Sequence, residues 1–298
     1  MLEIIKYNED EYTFPSLLVL GCFDAIHTGH AELLKQAKLQ AKINGLDLGV
    51  MMFTGGKGGR QVCNFEEKQE LLEKFNVKFI LAIDYSEDFK ATPANVFLEN
   101  IESKINVKGY MSGRDFRFGQ GAKAKSATLK AYAEDEENGI WYMPVKDVTY
   151  VGEKVSTTLI KTCIENGNLV KAGALLGRPY SVTGFVIEGA NRGKGLGYPT
   201  INMKYPVEKV EVKKGVYKVV CFIGEEEFIG IANYGARPTF NESIALLEVH
   251  LDGFVGTLYG RGVTVNFIEF LRDTQKFDSE EALKEQLKID LQRAKLKV

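Results

Sequence analysis

This 298-residue sequence lacks the features that would commit it to a membrane, a nucleic acid or an oxidising compartment. No segment approaches the ~18 consecutive apolar residues of a membrane-spanning helix. The opening MLEIIKYNEDEYTF has no basic stretch leading into an apolar run, so an export signal is not expected. Charge of one sign is missing too: 38 Lys and Arg stand against 40 Asp and Glu, a net −2, which offers no footprint for a phosphate backbone. Cys22, Cys63, Cys163 and Cys221 are scattered without paired spacing. That excludes a disulfide frame and a cysteine zinc site, and fits reduced thiols in a cytoplasmic protein. Repeats and low-complexity linkers are absent as well. What is left is a chain long enough for two domains of ~150 residues, each with its own core, with no mark of a nucleic-acid or membrane partner.

Apolar patterning changes character near residue 180. Before it, short apolar runs alternate with amphipathic stretches. LLVLGCF (17–23) is uninterrupted, as a strand covered on both faces requires. HAELLKQAKLQAKING follows with Leu33, Leu34, Ala37 and Ala41 on one stripe and an Asn44-Gly45 stop, and LGVMMF is a second strand. Further strands are expected at 77–83, 107–112 and 140–145, and helices at 65–75, 93–103, 126–136 and 156–176, the alternation of an open parallel α/β sheet. After Gly177 strands follow one another without long helices. VYKVVCFIGEEEFIGIANYG reads as a hairpin about Gly224-Glu225, and IALLEVHLDGF and GVTVNFIEFL continue it. One helix at 279–296 closes what should be an antiparallel β-barrel. The join falls at 177–182, giving domains 1–180 and 181–298.

Candidate chemistry sits first at GCFDAIHTGH (21–30), where a parallel strand turns into a helix, the end at which open α/β sheets hold ligands. His27 and His30 are three apart, so both rings can lie on one side of the first turn, beside free backbone amides and the positive end of the helix dipole. Such a place suits phosphate, although an ordinary helix start could carry the same spacing. A metal is disfavoured there, since zinc wants a third protein ligand and His250 is the only other histidine. In the second half, LGYPTINMKYP (196–206) puts Thr200 and Asn202 two apart, which on a strand turns both oxygens to one side. A turn leading into a strand is the plainer reading of that stretch. Glu248 in LLEVHL is an acid inside an apolar run, sharing a face with Leu246 and His250. It is costly to bury without a partner or a task, and an outward-facing strand glutamate is the competing reading.

GCFDAIHTGH resembles the G-x-F-D-x-x-H-x-G-H signature of nucleotidyltransferases. Together with GRDFRFGQG (113–121), STTLIK (156–161), LGRPYSVTGFVIEG through LGYPTIN, GIANYGARPTF, LEVHL and FLRDTQKFDS, the chain resembles the prokaryotic FAD synthetases over nearly its whole length. Those enzymes join an FMN adenylyltransferase to a riboflavin kinase, in that order. The resemblance implies an N-terminal Rossmann-like nucleotidyltransferase domain and a C-terminal riboflavin-kinase-like antiparallel barrel with a terminal helix. It also implies ATP as co-substrate, riboflavin, FMN and FAD as substrates and products, and Mg2+.

By matching position, Thr200 and Asn202 are the expected metal ligands. Pro199-Thr200-Ile201-Asn202 differs from the family's P-T-A-N only at Ile201, on the opposite face. Magnesium suits hard oxygens, keeps waters and leans on phosphates, so two neutral protein oxygens are enough. Gly189, Gly193 and Lys194 would wrap the ATP phosphates, with glycines where the backbone must come close. Glu248 matches the catalytic base that takes the proton of the riboflavin hydroxyl. Arg272 and Phe277 match the segment that closes on the flavin, the alternative being an exposed charge and its neighbour. In the first domain the FMN phosphate is already an anion and needs no base, so His27 and His30 are expected to neutralise and orient. Gly21, Phe23, Asp24, Gly29, Ser156, Thr157 and Lys161 would complete ATP binding, with Asp115 and Phe116 at the flavin.

Departures from the family pattern gather in the first half. Ala25 stands where a glycine is usual after F-D. FTGGKGG (53–59) replaces an F-D-P-H-P-like segment and loses its acid, histidine and prolines. Lys161 replaces an arginine and with it the planar bidentate fork, a loss that Lys57 and Arg60 could offset. Three readings follow. The first is an enzyme that makes FMN and then FAD, with slow adenylyl transfer. The second is a single-activity riboflavin kinase with a weakened adenylyltransferase module. The third is a non-catalytic flavin-binding regulatory protein. Intact Thr200, Asn202 and Glu248 speak against the third, and retained His27 and His30 against complete loss in the second. The sequence has no bearing on oligomeric state.

Overall fold

The computed structural model of the chain describes residues 2–55, 58–135, 138–188, 197–235 and 246–296. It divides into two compact units, Met1–Thr157 and Thr158–Val298. The first contains β1 (Glu3–Lys6), β2 (Tyr12–Leu20), α1 (Thr28–Asn44), β3 (Asp47–Phe53), α2 (Phe65–Glu73), β4 (Phe79–Ile83), α3 (Glu87–Ala91), α4 (Ala94–Glu102), β5 (Ile105–Gly113), β6 (Arg117–Phe118), β7 (Ala124–Lys125), α5 (Ser126–Ala133), β8 (Trp141–Val145), β9 (Thr149–Tyr150) and β10 (Glu153–Lys154). Six strands form one sheet in the order β1-β4-β3-β2-β5-β8, and every pairing in it is parallel.

The uninterrupted apolar runs are the reason. Along β2, Leu17 and Val19 enter the core on one face while Leu18 and Leu20 enter that on the other. In β3, Val50 and Met52 follow the first pair and Met51 and Phe53 the second. A strand with helices on both faces has no polar side to show. The stripe of Leu33, Leu34, Ala37 and Ala41 buries α1 against this sheet, and the helix ends at Gly45 in a left-handed conformation, φ 63°. Strand β1, the short helix α3 and the two-residue ribbons β6–β7 and β9–β10 have no counterpart in the sequence reading; they are too short to display a period.

One expectation needs correction. The stretch 156–176 is not a single helix but two, α6 (Thr157–Glu165) and α7 (Leu169–Leu176). The chain breaks at Asn166-Gly167-Asn168: Gly167 takes φ 76°, and Asn168 caps α7 by accepting the Lys171 N–H at 3.2 Å. Most of α6 and all of α7 belong to the second unit, where α7 lies against β11 and β16 and buries Leu169, Ala172, Leu175 and Leu176. The division by contacts therefore falls earlier than the 177–182 read from composition.

The second unit continues with β11 (Tyr180–Ile187), β12 (Thr200–Lys204), β13 (Gly215–Ile223), β14 (Glu226–Gly235), β15 (Leu246–Leu251), β16 (Gly262–Arg272) and α8 (Glu280–Lys295). The strands close a barrel in the order β11-β12-β15-β14-β13-β16, antiparallel throughout. The β13–β14 hairpin turns at Gly224-Glu225 as expected. Ser279 caps α8, and Leu287, Leu291 and Ala294 pack it on Val216, Ile231 and Leu271 of the barrel. Among the described residues, no helix is long and apolar enough to cross a membrane.

Candidate active sites

In the first unit the strand-to-helix turn after β2 is built around two rings. Phe23 and Ile26 adopt left-handed backbone, φ 46° and 41°, which for residues with a Cβ costs on the order of 1–2 kcal/mol each. The reason lies in the packing. Phe23 is fully buried and its ring meets that of His30 at 4.6 Å between centroids. A Cβ on residue 21 would fall 2.7 Å from the Phe23 ring, so only glycine fits there. His27 caps α1: its Nδ1 accepts the His30 backbone N–H at 3.2 Å. The neutral His27 ring therefore carries its proton on Nε2, which makes that nitrogen a donor. The two imidazoles stack at 3.8 Å, 11° from parallel. Burial, and then the neighbouring His27, hold His30 well below the ordinary imidazole range, so its ring is neutral at pH 7. Its Nδ1 is buried without a hydrogen-bond partner, the kind of atom a ligand satisfies.

These residues open onto a cavity of about 390 Å³. Gly21, His27, Gly29 and His30 line one side, and Asp115, Phe116, Ser156 and Thr157 line others, so eight of the expected residues converge. Phe23 and Asp24 do not line it. Phe23 is the floor beneath His30. Asp24 accepts the Val62 N–H on Oδ1 at 3.0 Å and the Cys63 N–H on its carbonyl at 3.2 Å, which ties down the loop before α2. Ala25 is fully buried, with its carbonyl accepting from the Cys63 thiol at 3.5 Å. Lys161 is half-buried on α6 and belongs to the second unit. Lys57 lies outside the described residues. Lys146 and Lys154, two cations that sequence reasoning missed, also line the cavity. Lys154 Nζ sits 2.6 Å from Asp115 and 2.9 Å from Asp147. Partial burial opposes its charge, but the hydrogen bonds it donates to the two aspartates prevail and raise its pKa.

A second cavity of about 330 Å³ adjoins the first, and Cys22, Phe116, Arg117 and Ala122 line both. Its walls are aromatic: Phe53, Tyr85, Phe89, Phe97, Phe116 and Phe118. The rings meet edge to face, Phe53 with Tyr85 at 4.9 Å and Phe89 with Phe97 at 5.9 Å, while Phe116 and Phe118 lie parallel. Phe53, the last residue of β3 and the first of the proline-free FTGGKGG, thus stands in this wall.

In the barrel, register assembles the site. Thr200 pairs with His250 and Asn202 with Glu248 across β12 and β15, and Glu248 pairs in turn with Asn233 of β14. Directly opposed residues share a face, so Thr200, Asn202, Glu248 and His250 all stand on one side of the wall. Thr200, Asn233, Glu248 and His250 line a cavity of about 380 Å³, shared with Arg272 and Phe277 and walled by Leu283 and Leu287 of α8. Asn202 is buried and does not line this cavity.

Arg272 is not an exposed charge. Its Nε and Nη2 donate to the buried Asp290 carboxylate at 2.8–3.0 Å, Gln286 donates to the same carboxylate at 2.9 Å, and the guanidinium lies 5.8 Å from the Phe277 ring centre. Another cavity of about 220 Å³, lined by Pro199, Thr200, Ile201, Phe254, Thr257 and Tyr259, was not anticipated. Thr200 lines both. Asn233 and the 254–259 turn carry no sequence signal of their own; their role comes from register and closure. Gly189, Gly193 and Lys194 lie outside the described residues.

Residues 9–159 match the family model described as FAD synthetase, and residues 176–298 that described as riboflavin kinase. The bifunctional riboflavin kinase/FMN adenylyltransferase of Bacillus subtilis is 30% identical over 291 residues, 94% of this chain and 91% of its own. The protein of that name from Haemophilus influenzae is 32% identical over 288 residues, 93% and 92% of the two chains. A solved structure described as a macrolide-efflux protein from Streptococcus pneumoniae has a TM-score of 0.91 at 30% identity, covering 100% of this chain and 99% of that one.

Proposed function

This chain belongs to the bifunctional riboflavin kinase/FMN adenylyltransferase family, and on that premise we propose which residues carry each step. It is a transferase that phosphorylates riboflavin to FMN with one ATP and adenylylates FMN to FAD with a second. The single-activity and non-catalytic readings are not favoured, because each half matches its own family model.

The kinase reading rests on one observation above the rest: Thr200 stands where two cavities meet, with Glu248 in one of them. The larger, closed by Arg272, Phe277 and α8, takes riboflavin; the smaller takes the nucleotide. Glu248 accepts the proton of the primary hydroxyl as its oxygen bonds to the γ-phosphorus and ADP leaves. A positioned general base of this kind contributes ~10²–10⁴-fold. The Thr200 and Asn202 oxygens, hard donors on one strand face, fit magnesium and would hold it. When bound, the metal neutralises charge on the phosphates; Thr200 and Asn202 orient it. Because Arg272 is neutralised by Asp290, it acts as a flat, fixed wall and not as a phosphate clamp.

For adenylyl transfer, the FMN phosphate attacks the α-phosphorus of ATP and pyrophosphate departs. The aromatic cavity, with stacking surfaces on several sides, suits the isoalloxazine ring, and the 390 Å³ cavity suits ATP. His27, donating from Nε2, and the neutral His30 face developing phosphate charge, with Lys146 adding a cation to a site that lacks the usual accessory segment, while Lys154 is held between Asp115 and Asp147. Balanced charge and scattered cysteines support a cytoplasmic enzyme acting on small molecules.

The test is a time course with riboflavin, ATP and magnesium, separating riboflavin, FMN and FAD by chromatography. FMN should appear first and FAD follow at its expense. FMN that accumulates without FAD would overturn the assignment of the first unit's site.

A further inference from the structure

We propose that His250 is a positioning residue of the kinase site: its Nδ1–H holds the Pro199 carbonyl and thereby sets the Thr200 oxygen. The proposal rests on the reading of Thr200 as an oxygen ligand for magnesium. His250 Nδ1 lies 2.9 Å from the Pro199 oxygen. A carbonyl oxygen can only accept, so the ring nitrogen facing it bears a proton, and the neutral ring is the Nδ1–H tautomer. His250 and Thr200 are register partners, and the bond reaches one residue back from that pairing, to the peptide that leads into β12. Because a peptide unit is planar, holding the Pro199 oxygen also fixes the direction in which the Thr200 Cα leaves it. The ring itself is buried, with 8% exposure, and braced edge-on by Tyr198 at 5.1 Å and 69°. His250 lines the flavin cavity and Pro199 the neighbouring one, so the bond spans the wall where the two substrates meet. A histidine that merely filled the core would leave the two cavities uncoupled.

The test combines substitution with spectroscopy. Asparagine places an amide N–H near the Nδ1 position, glutamine places its own nearer Nε2, and leucine offers none. His250→Asn should bind magnesium–ADP, followed by calorimetry without turnover, within a few-fold of wild type. His250→Gln and His250→Leu should bind it ~10–100-fold more weakly, the usual cost of losing an outer-shell partner, with kinase kcat/KM falling in parallel. FAD formation from supplied FMN should be unchanged in all three. With only three histidines in the chain, the imidazole nitrogen shifts of His250 can be assigned, and they should report the Nδ1–H tautomer in the free protein. An Nε2–H tautomer overturns the proposal, and this measurement stands even if the leucine variant fails to fold. Thr200→Ala, run alongside, separates the two claims. If it weakens magnesium–ADP while His250→Gln binds like wild type, only the His250 proposal falls; if it has no effect, the ligand reading falls and takes the proposal with it.

Discussion

The two sites use histidine in opposite ways. At the start of α1, His27 accepts a backbone N–H on Nδ1, so its proton is on Nε2; in the barrel, His250 donates from Nδ1 to the Pro199 carbonyl. The supports differ to match. A helix start offers unpaired N–H groups, so a capping side chain there must accept. A strand entering after proline offers a carbonyl, so its partner must donate. The chemistry divides along the same line: the first site receives a nucleophile already ionised and needs donors, while the second must deprotonate an alcohol and carries an acid on its wall. Equal ring types, placed against opposite backbone ends, take opposite hydrogen-bonding roles.

The largest expected effect falls on Glu248, the proposed base. Glu248→Gln keeps size and hydrogen-bonding capacity but cannot take the hydroxyl proton at neutral pH. Kinase turnover should fall ~10²–10⁴-fold while FAD formation from supplied FMN continues. Paired initial rates on one preparation measure both, and a kinase rate close to wild type would erase the contrast between the sites.

His30→Ala is the reciprocal experiment. It should lower adenylyl transfer by ~10²–10³-fold and spare riboflavin phosphorylation. Circular dichroism should accompany it, since the ring is packed between His27 and Phe23. Equal loss of both activities would mean that the two units do not work separately.

A third prediction concerns stability alone. Asp290→Ala strands the Arg272 guanidinium in a largely buried place and should cost the barrel unit about 3–5 kcal/mol, read from its thermal or denaturant transition. The first unit's transition should not move. A loss below about 1 kcal/mol would show the pair to be solvated, as surface pairs are.

The smallest effect is a pH dependence confined to the first unit. His30 has a folded pKa depressed below its unfolded value of about 6.5, so its contribution is fully present above that pH and fades as pH falls toward the folded pKa. The slope is at most about 1.4 kcal/mol per pH unit. Unfolding of wild type and His30→Gln at a series of pH values below neutrality should diverge accordingly, and parallel curves would count against the neutral ring.

Much of the fold was legible because its signals are local. Leu17–Leu20 alternate between two cores, and only a strand covered on both faces reads as an unbroken apolar run. The break in 156–176 was equally present, in Asn166-Gly167-Asn168, but apolar residues on both sides continue a helical period and mask it. At the sites, spacing placed His27 near His30 and Thr200 near Asn202, but it did not separate lining residues from supporting ones. Phe23 and Asp24 sit inside the motif and yet face the core and the 62–63 loop. Only packing could assign them.

The sequence by itself determined the two-part architecture, the helix start that carries the histidine pair and the strand face that carries two oxygens. Each follows from a period of 3.6 or 2, or from a cap, over a handful of residues. Tertiary structure decided the rest. It set Asn202 opposite Glu248 and His250 opposite Thr200, gathered aromatics from residues 53 to 118 into one cavity, and paired Arg272 with Asp290. Those choices depend on strand register, barrel closure and the docking of α8, which bring together residues far apart in the chain, and no local period encodes a partner at that distance.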